Sequence, residues 1–145
     1  MFFNKFESKE SNNEIYFNGQ IYDAYSKIMD IMSMTDKELI VIDGYADRMF
    51  LDMIRNFTFK VILITKSNTK LTKLDILKYN SEYNNLTIIY DDTFHDRYFI
   101  IDRNIVYHCG TSINHAGSRT FSINKLEDEL IKKALINRVI GGTNE

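Results

Sequence analysis

Three short apolar runs restrict this chain more than any other feature: ELIVID at 38–43, FKVILITK at 59–66 and LTIIY at 86–90. Each is too short for a stable helix, rich in β-branched residues, and apolar at both odd and even positions. Such runs are strands covered on both faces, the usual state of a parallel sheet with crossover helices. Between them, ADRMFLDMIRN at 46–56 and TKLTKLDILKYNSEY at 69–83 have helical spacing, the second with Leu71, Leu74 and Leu77 on one side. The order β-α-β-α-β follows. An earlier helix is expected near 18–34, where Ile21, Tyr25, Ile28 and Met32 recur at helical spacing.

The pattern changes after residue 90. RYFIID at 97–102 and IVYHCG at 105–110 flank Arg103 and Asn104 and predict an antiparallel hairpin. RTFSI at 119–123 reads as one more strand. A last helix is expected from Lys125 to about Ile140, acidic at Glu127, Asp128 and Glu129 and basic at Lys132, Lys133 and Arg138, with Gly141 and Gly142 as its stop. The fold class is therefore α/β, a mixed β-sheet flanked by helices, in one domain over 1–145 with residues 1–17 as an N-terminal extension. The 145 residues, 44% of them hydrophobic, suffice for one core.

Charge and cysteine content narrow the function. The net charge of -2 counts against a broad basic surface gripping nucleic acid, although a local phosphate site stays compatible with it. One cysteine, Cys109, allows no internal disulfide and suits a reducing, cytoplasmic setting. No apolar stretch has the length of a signal peptide or membrane span.

The chemistry concentrates in FHDRYFIIDRNIVYHCGTSIN, residues 94–114. His95 and Arg97 are two apart and would share a face if both lay on a strand. Neutral imidazole can attack phosphorus, and a guanidinium can hold two phosphate oxygens. Ser112 and Asn114, also two apart, could donate to the same oxyanion, or could be turn residues. Arg97 could alternatively pair with Asp92 or Asp96. Asp102 has the opposite parity from His95, and either orients a neighbour at one remove or helps to form the hairpin turn. Asp43 ends the first run, where α/β sites gather, but reads slightly better as a cap for the next helix. Asp91, Asp92, His95 and Asp96 resemble a metal-ligand set, but neighbours on a strand point to opposite faces, so no metal or other cofactor is expected. Lys66, Lys70, Lys73 and Lys78 read as a solvated face. His108 and His115 are expected to be structural or surface residues.

His95-x-Arg97, four residues, Asp102, then GTSIN resembles the phospholipase D-like motif of His-x-Lys, four residues, Asp, and a downstream Gly-Ser-x-Asn. Arginine replaces the lysine, and Thr111 separates Gly110 from Ser112. Over about residues 36–138 the chain is similar to the phospholipase D-like domain at the C-terminus of some phage and mobile-element proteins. The resemblance implies half of the phospholipase D-like fold and a metal-independent phosphodiesterase or nuclease, with His95, Arg97 and Asp102 catalytic and Arg97, Ser112 and Asn114 on the phosphate. One histidine would become a phosphohistidine and a second would protonate the leaving group. A chain with one motif would need a homodimer, contributing His95 twice, to act on nucleic acid or another phosphodiester. The alternative is a module that has lost turnover and binds nucleic acid, a nucleotide or a protein partner, including a host protein in a phage–host conflict. Lipid hydrolysis is weaker, because no lipid-binding element is evident and no membrane association is expected.

Overall fold

The buried runs assemble one seven-stranded sheet in the computed structural model, which describes residues 13–112, 116, 117 and 119–144. Its strands are β1 (Asn13–Tyr16), β2 (Glu38–Ile42), β3 (Lys60–Thr65), β4 (Leu86–Tyr90), β5 (Arg97–Ile101), β6 (Ile105–Cys109) and β7 (Phe121–Lys125). Their order across the sheet is β1-β7-β6-β5-β2-β3-β4. β2, β3 and β4 pair in parallel, whereas β5 pairs antiparallel to both β2 and β6, and β7 lies antiparallel between β6 and β1. The protein is an α/β fold with a mixed sheet, flanked by helices α1 (Ile21–Ser33), α2 (Arg48–Ile54), α3 (Lys73–Glu82) and α4 (Glu129–Asn144).

Strand alternation divides the core in two. Leu39, Val41, Val61, Leu63, Phe99 and Ile101 project to one face and cluster with Ala24, Ile28, Phe50, Ile54 and Tyr79 of α1, α2 and α3. Ile40, Ile42, Ile62, Ile64, Ile100 and Val106 project to the other and cluster with Ile136 and Val139 of α4. Covering on both faces is the physical reason that β2 and β3 show no apolar–polar alternation. Local signals start the helices. The Asp47 carboxylate accepts from the Met49 amide to cap α2, and Thr72 and Asp75 form a reciprocal capping box at α3.

Several boundaries differ from the sequence reading. Asn13–Tyr16, expected within the N-terminal extension, pairs with β7 as an edge strand, a partnership that lies more than a hundred residues away. On α1 the buried positions are Ala24, Ile28, Ile31 and Met32, while Ile21 and Tyr25 are exposed. Ile28 and Met32 of the expected stripe are buried, and in the first turns Ala24 takes the buried position instead of Ile21 and Tyr25. Leu71 is buried ahead of α3, but Leu74 and Leu77 face solvent. The last helix begins at Glu129, with Asp128 accepting from the Leu130 and Ile131 amides, and it continues through Gly141 and Gly142 to Asn144. Gly141 has open space where a Cβ would stand, so nothing there forces a stop. Among the described residues, no helix is long and apolar enough to cross a membrane.

Candidate phosphate site at the strand ends

Opposite strand directions bring the motif to one edge of the sheet. β2 and β3 end at Ile42 and Thr65; β5, antiparallel to β2, starts there with Tyr98 opposite Ile42, and β6 ends there with Cys109 opposite Arg97. Asp43, Tyr45, Lys66, His95, Arg97, Gly110 and Ser112 therefore collect at that edge.

His95 lies just before β5, not on it, so strand parity does not align it with Arg97. The link is through the main chain: Arg97 Nη1 donates to the His95 carbonyl at 3.1 Å. The His95 imidazole is exposed. Two clamps hold its loop. Asp91 accepts from Thr93 and from Arg138 of α4, and Asp92 accepts from the amide and hydroxyl of Ser67 at 2.8 and 2.9 Å. Hydrogen bonds from Thr93 lower the Asp91 carboxyl below the usual range, and those from Ser67 do the same for Asp92. Asp96 pairs instead with His108 at 3.5 Å. The acidic residues around His95 thus engage separate partners.

Arg97 is half-buried beneath Tyr45, its guanidinium carbon 5.1 Å from the ring centroid. Its Nε is buried with no hydrogen-bond partner among the described residues. Lys66 Nζ lies 4.8 Å from the same centroid and 3.3 Å from the Tyr45 hydroxyl. Two cations therefore flank one half-exposed aromatic ring. Arg97 and Tyr45 also line an open cavity of about 350 Å³ with Gly110, Thr111, Arg119, Thr120 and Phe121.

Ser112 does not face this cavity. It is fully buried, and its hydroxyl lies 3.0 and 2.9 Å from the two carboxylate oxygens of Asp43. A hydroxyl has one proton, and this geometry commits it to the carboxylate rather than to an added oxyanion. Asp43, also fully buried, accepts from the Tyr45 amide at 2.9 Å; the helix cap it was expected to provide comes from Asp47. Asp43 thus ties the loop carrying Tyr45 to the segment carrying Ser112. Asn114 and His115 lie outside the described residues.

Asp102 is separated from the other motif residues. It sits at the far end of β5, where its carboxylate accepts from the amides of Asp36, Lys37 and Glu38 at 3.0, 2.8 and 3.0 Å. Five strand residues lie between it and His95, and each advances the chain by about 3.3 Å. Of its two sequence readings, the geometry matches the turn anchor.

No protein-family model matches the sequence, and no curated protein is similar to it. Solved structures are similar in fold. NucT from Helicobacter pylori superposes with a TM-score of 0.63 at 14% identity, covering 89% of this chain and 95% of that one. Nuc from Salmonella typhimurium, a phospholipase D family member, gives 0.61 at 7% identity over 87% and 91%. The chain has the phospholipase D-like fold. TrmBL2, an archaeal chromatin protein with a novel mode of DNA binding, gives 0.60 at 14% identity, over 97% of this chain and 59% of that one. The superposed regions span nearly all of NucT and Nuc.

Tyr45 and Arg119, which line this candidate site, were not singled out in the sequence, and Lys66, beside Tyr45, was read there as part of a solvated face. Tyr45 and Lys66 had a legible signal, since Lys66 directly follows β3 and Tyr45 comes three residues after the end of β2, at the carboxyl edge where α/β sites form. Arg119 had none, because a long-range loop contact brings it there.

Proposed function

We propose that this chain is a metal-independent phosphodiesterase acting on nucleic acid as a homodimer, with His95 as nucleophile. The observation that carries this reading is an exposed histidine, His95, whose main-chain carbonyl accepts from Arg97 at the edge of a phospholipase D-like sheet. NucT and Nuc, which share that fold, support it. Neutral His95 attacks phosphorus and forms a phosphorus–nitrogen bond while the phosphorus–oxygen bond of the leaving group breaks. The partner copy's His95, protonated, gives its proton to the departing oxygen. Water then attacks the phosphohistidine, returns the proton to that second histidine and frees the first. Arg97 offers positive charge to the phosphoryl oxygens throughout.

The test combines mass and turnover on one purified sample. Light scattering should give a dimer, and single-stranded or duplex DNA or RNA should be cleaved in excess chelator by the wild type and not by His95→Ala. Residual cleavage by His95→Ala would remove His95 from the chemistry.

Two observations favour a second reading, a module that binds nucleic acid, a nucleotide or a protein partner without turnover. The Ser112 hydroxyl is spent on Asp43, and TrmBL2, which shares the fold, is a chromatin protein that binds DNA. Multiple-turnover cleavage by pure protein would overturn it.

A further inference from the structure

We propose that the cavity between Tyr45 and Arg119 is a subsite for one unpaired nucleotide, with its base against Tyr45 and its phosphate between Arg97 and Arg119. The proposal rests on the nucleic-acid reading above and adds to it the form of the substrate and two residues outside the motif.

The cavity's size fits this occupant. About 350 Å³ is near the lower end of small-ligand pockets, which run from about 300 Å³, and suits one nucleotide better than a duplex. Its chemistry is mixed in the same sense. Arg97 and Arg119 supply two guanidiniums, Thr111 and Thr120 supply hydroxyls, and Tyr45 and Phe121 supply aromatic surface. The Arg97 Nε is a buried donor without an acceptor among the described residues, and the Arg97 side chain itself lines the cavity that a phosphate would enter. Tyr45 is 48% exposed despite sitting on Arg97 and beside Lys66, so an aromatic surface is left open amid positive charge. That combination recognises unstacked bases, because stacking needs a free base face and the backbone needs nearby cations. A duplex presents no free base face. The net charge of -2 counts against a broad basic surface that would hold a duplex instead.

Arg119 sits on a loop that is built into the fold. The Asn18 amide donates to the Thr120 hydroxyl at 3.1 Å, and the Gly19 amide donates to the Gly117 carbonyl at 2.9 Å. Gly117 has φ +86°, and a Cβ there would stand 2.4 Å from the Ile21 Cα. Only glycine permits this approach, which presses the Arg119 loop onto the start of α1.

The test uses His95→Ala protein, so that binding is read without cleavage. Fluorescence anisotropy with labelled hexathymidylate and with a fully paired twelve-base-pair duplex gives the two affinities. Single-strand binding should be at least tenfold tighter. Arg119→Ala and Tyr45→Leu should each weaken it by about tenfold, as loss of one stacked base or one phosphate contact does. Tyr45→Phe should keep most of the affinity, and Arg119→Ala should also flatten the salt dependence. Arg119 is exposed, so its removal leaves the fold intact. Equal affinity for duplex and single strand, or hexathymidylate binding untouched by both Arg119→Ala and Tyr45→Leu, would overturn the proposal. Cleavage by the protein with His95 present is read separately and decides only the phosphodiesterase reading.

Discussion

Single residues in this chain divide between chemistry and architecture in a way that sequence spacing obscures. Asp102 is the clearest case. Its φ is +52°, as Arg103's is +56°, and the Asn104 amide returns to the Ile101 carbonyl, which makes a type I′ turn. Aspartate tolerates that conformation better than most residues do. Its carboxylate then gathers three amides from the segment leading into β2, which lowers its pKa from the usual range. The stability this provides is full above the unfolded carboxyl value of about 4 and is lost as pH falls through the lower folded value. Asp102→Asn should therefore cost about 1–2 kcal/mol at neutral pH, because a charged acceptor of backbone hydrogen bonds becomes neutral. It should also reduce the variation of stability with pH below about 4, where the wild type loses the carboxylate. Urea denaturation at several pH values checks both outcomes. Hexathymidylate binding by the same variant should be unchanged, since the anchor lies at the opposite end of β5 from His95. A binding defect without a stability defect would return Asp102 to the site.

Elements are where periodicity was most informative and where it also misled. Leu71, Leu74 and Leu77 share helical spacing, yet their exposures are 2%, 59% and 68%. Leu71 precedes the Thr72 cap, so it belongs to the loop that packs into the core rather than to the face of α3. Leu71→Ala should cost about 2–5 kcal/mol as a buried large-to-small change. Leu74→Gln and Leu77→Gln should each stay within about 0.5 kcal/mol. Comparison of thermal midpoints for the three variants tests this, and a large loss at Leu74 would mean that α3 is covered in solution. The same separation of pattern from packing applies to α1, where Ala24 takes the buried position next to exposed Tyr25. Strands were more legible than helices. The apolar runs at 38–43, 59–66 and 86–90 became β2, β3 and β4; two-sided burial leaves β2 and β3 no polar face for the pattern to misplace, whereas β4 is an edge strand with only Leu86 buried.

For the whole molecule, the proposed activity depends on a second copy, because one chain holds one motif. Hybrid formation gives a test that does not require the interface to be known. When wild type and His95→Ala are mixed and allowed to exchange subunits, a hybrid dimer has one His95 for two roles. Activity should therefore fall below the sum of the separate samples, and dilution of the wild type should lower its specific activity. Activity that stays additive and independent of concentration would mean that one chain is sufficient.

The amino-acid sequence by itself determined the alternation of buried strands and helices, a hairpin expected at Arg103–Asn104 whose turn centres one residue earlier, on Asp102 and Arg103, and the closeness of His95 to Arg97 along the chain. These follow from period, local turn chemistry and adjacency in the chain, all of which act within a few residues. The tertiary structure decided what lies between distant segments. It recruited Asn13–Tyr16 to β7, turned the Ser112 hydroxyl onto Asp43 across sixty-nine positions, and sent Asp102 to the far end of the sheet from His95. It also brought Arg119 to the cavity wall through the fit of Gly117 on α1. Spacing along the chain records which face a residue occupies, but partners come from the pairing of strands and the docking of loops, and those are settled only when the whole core packs.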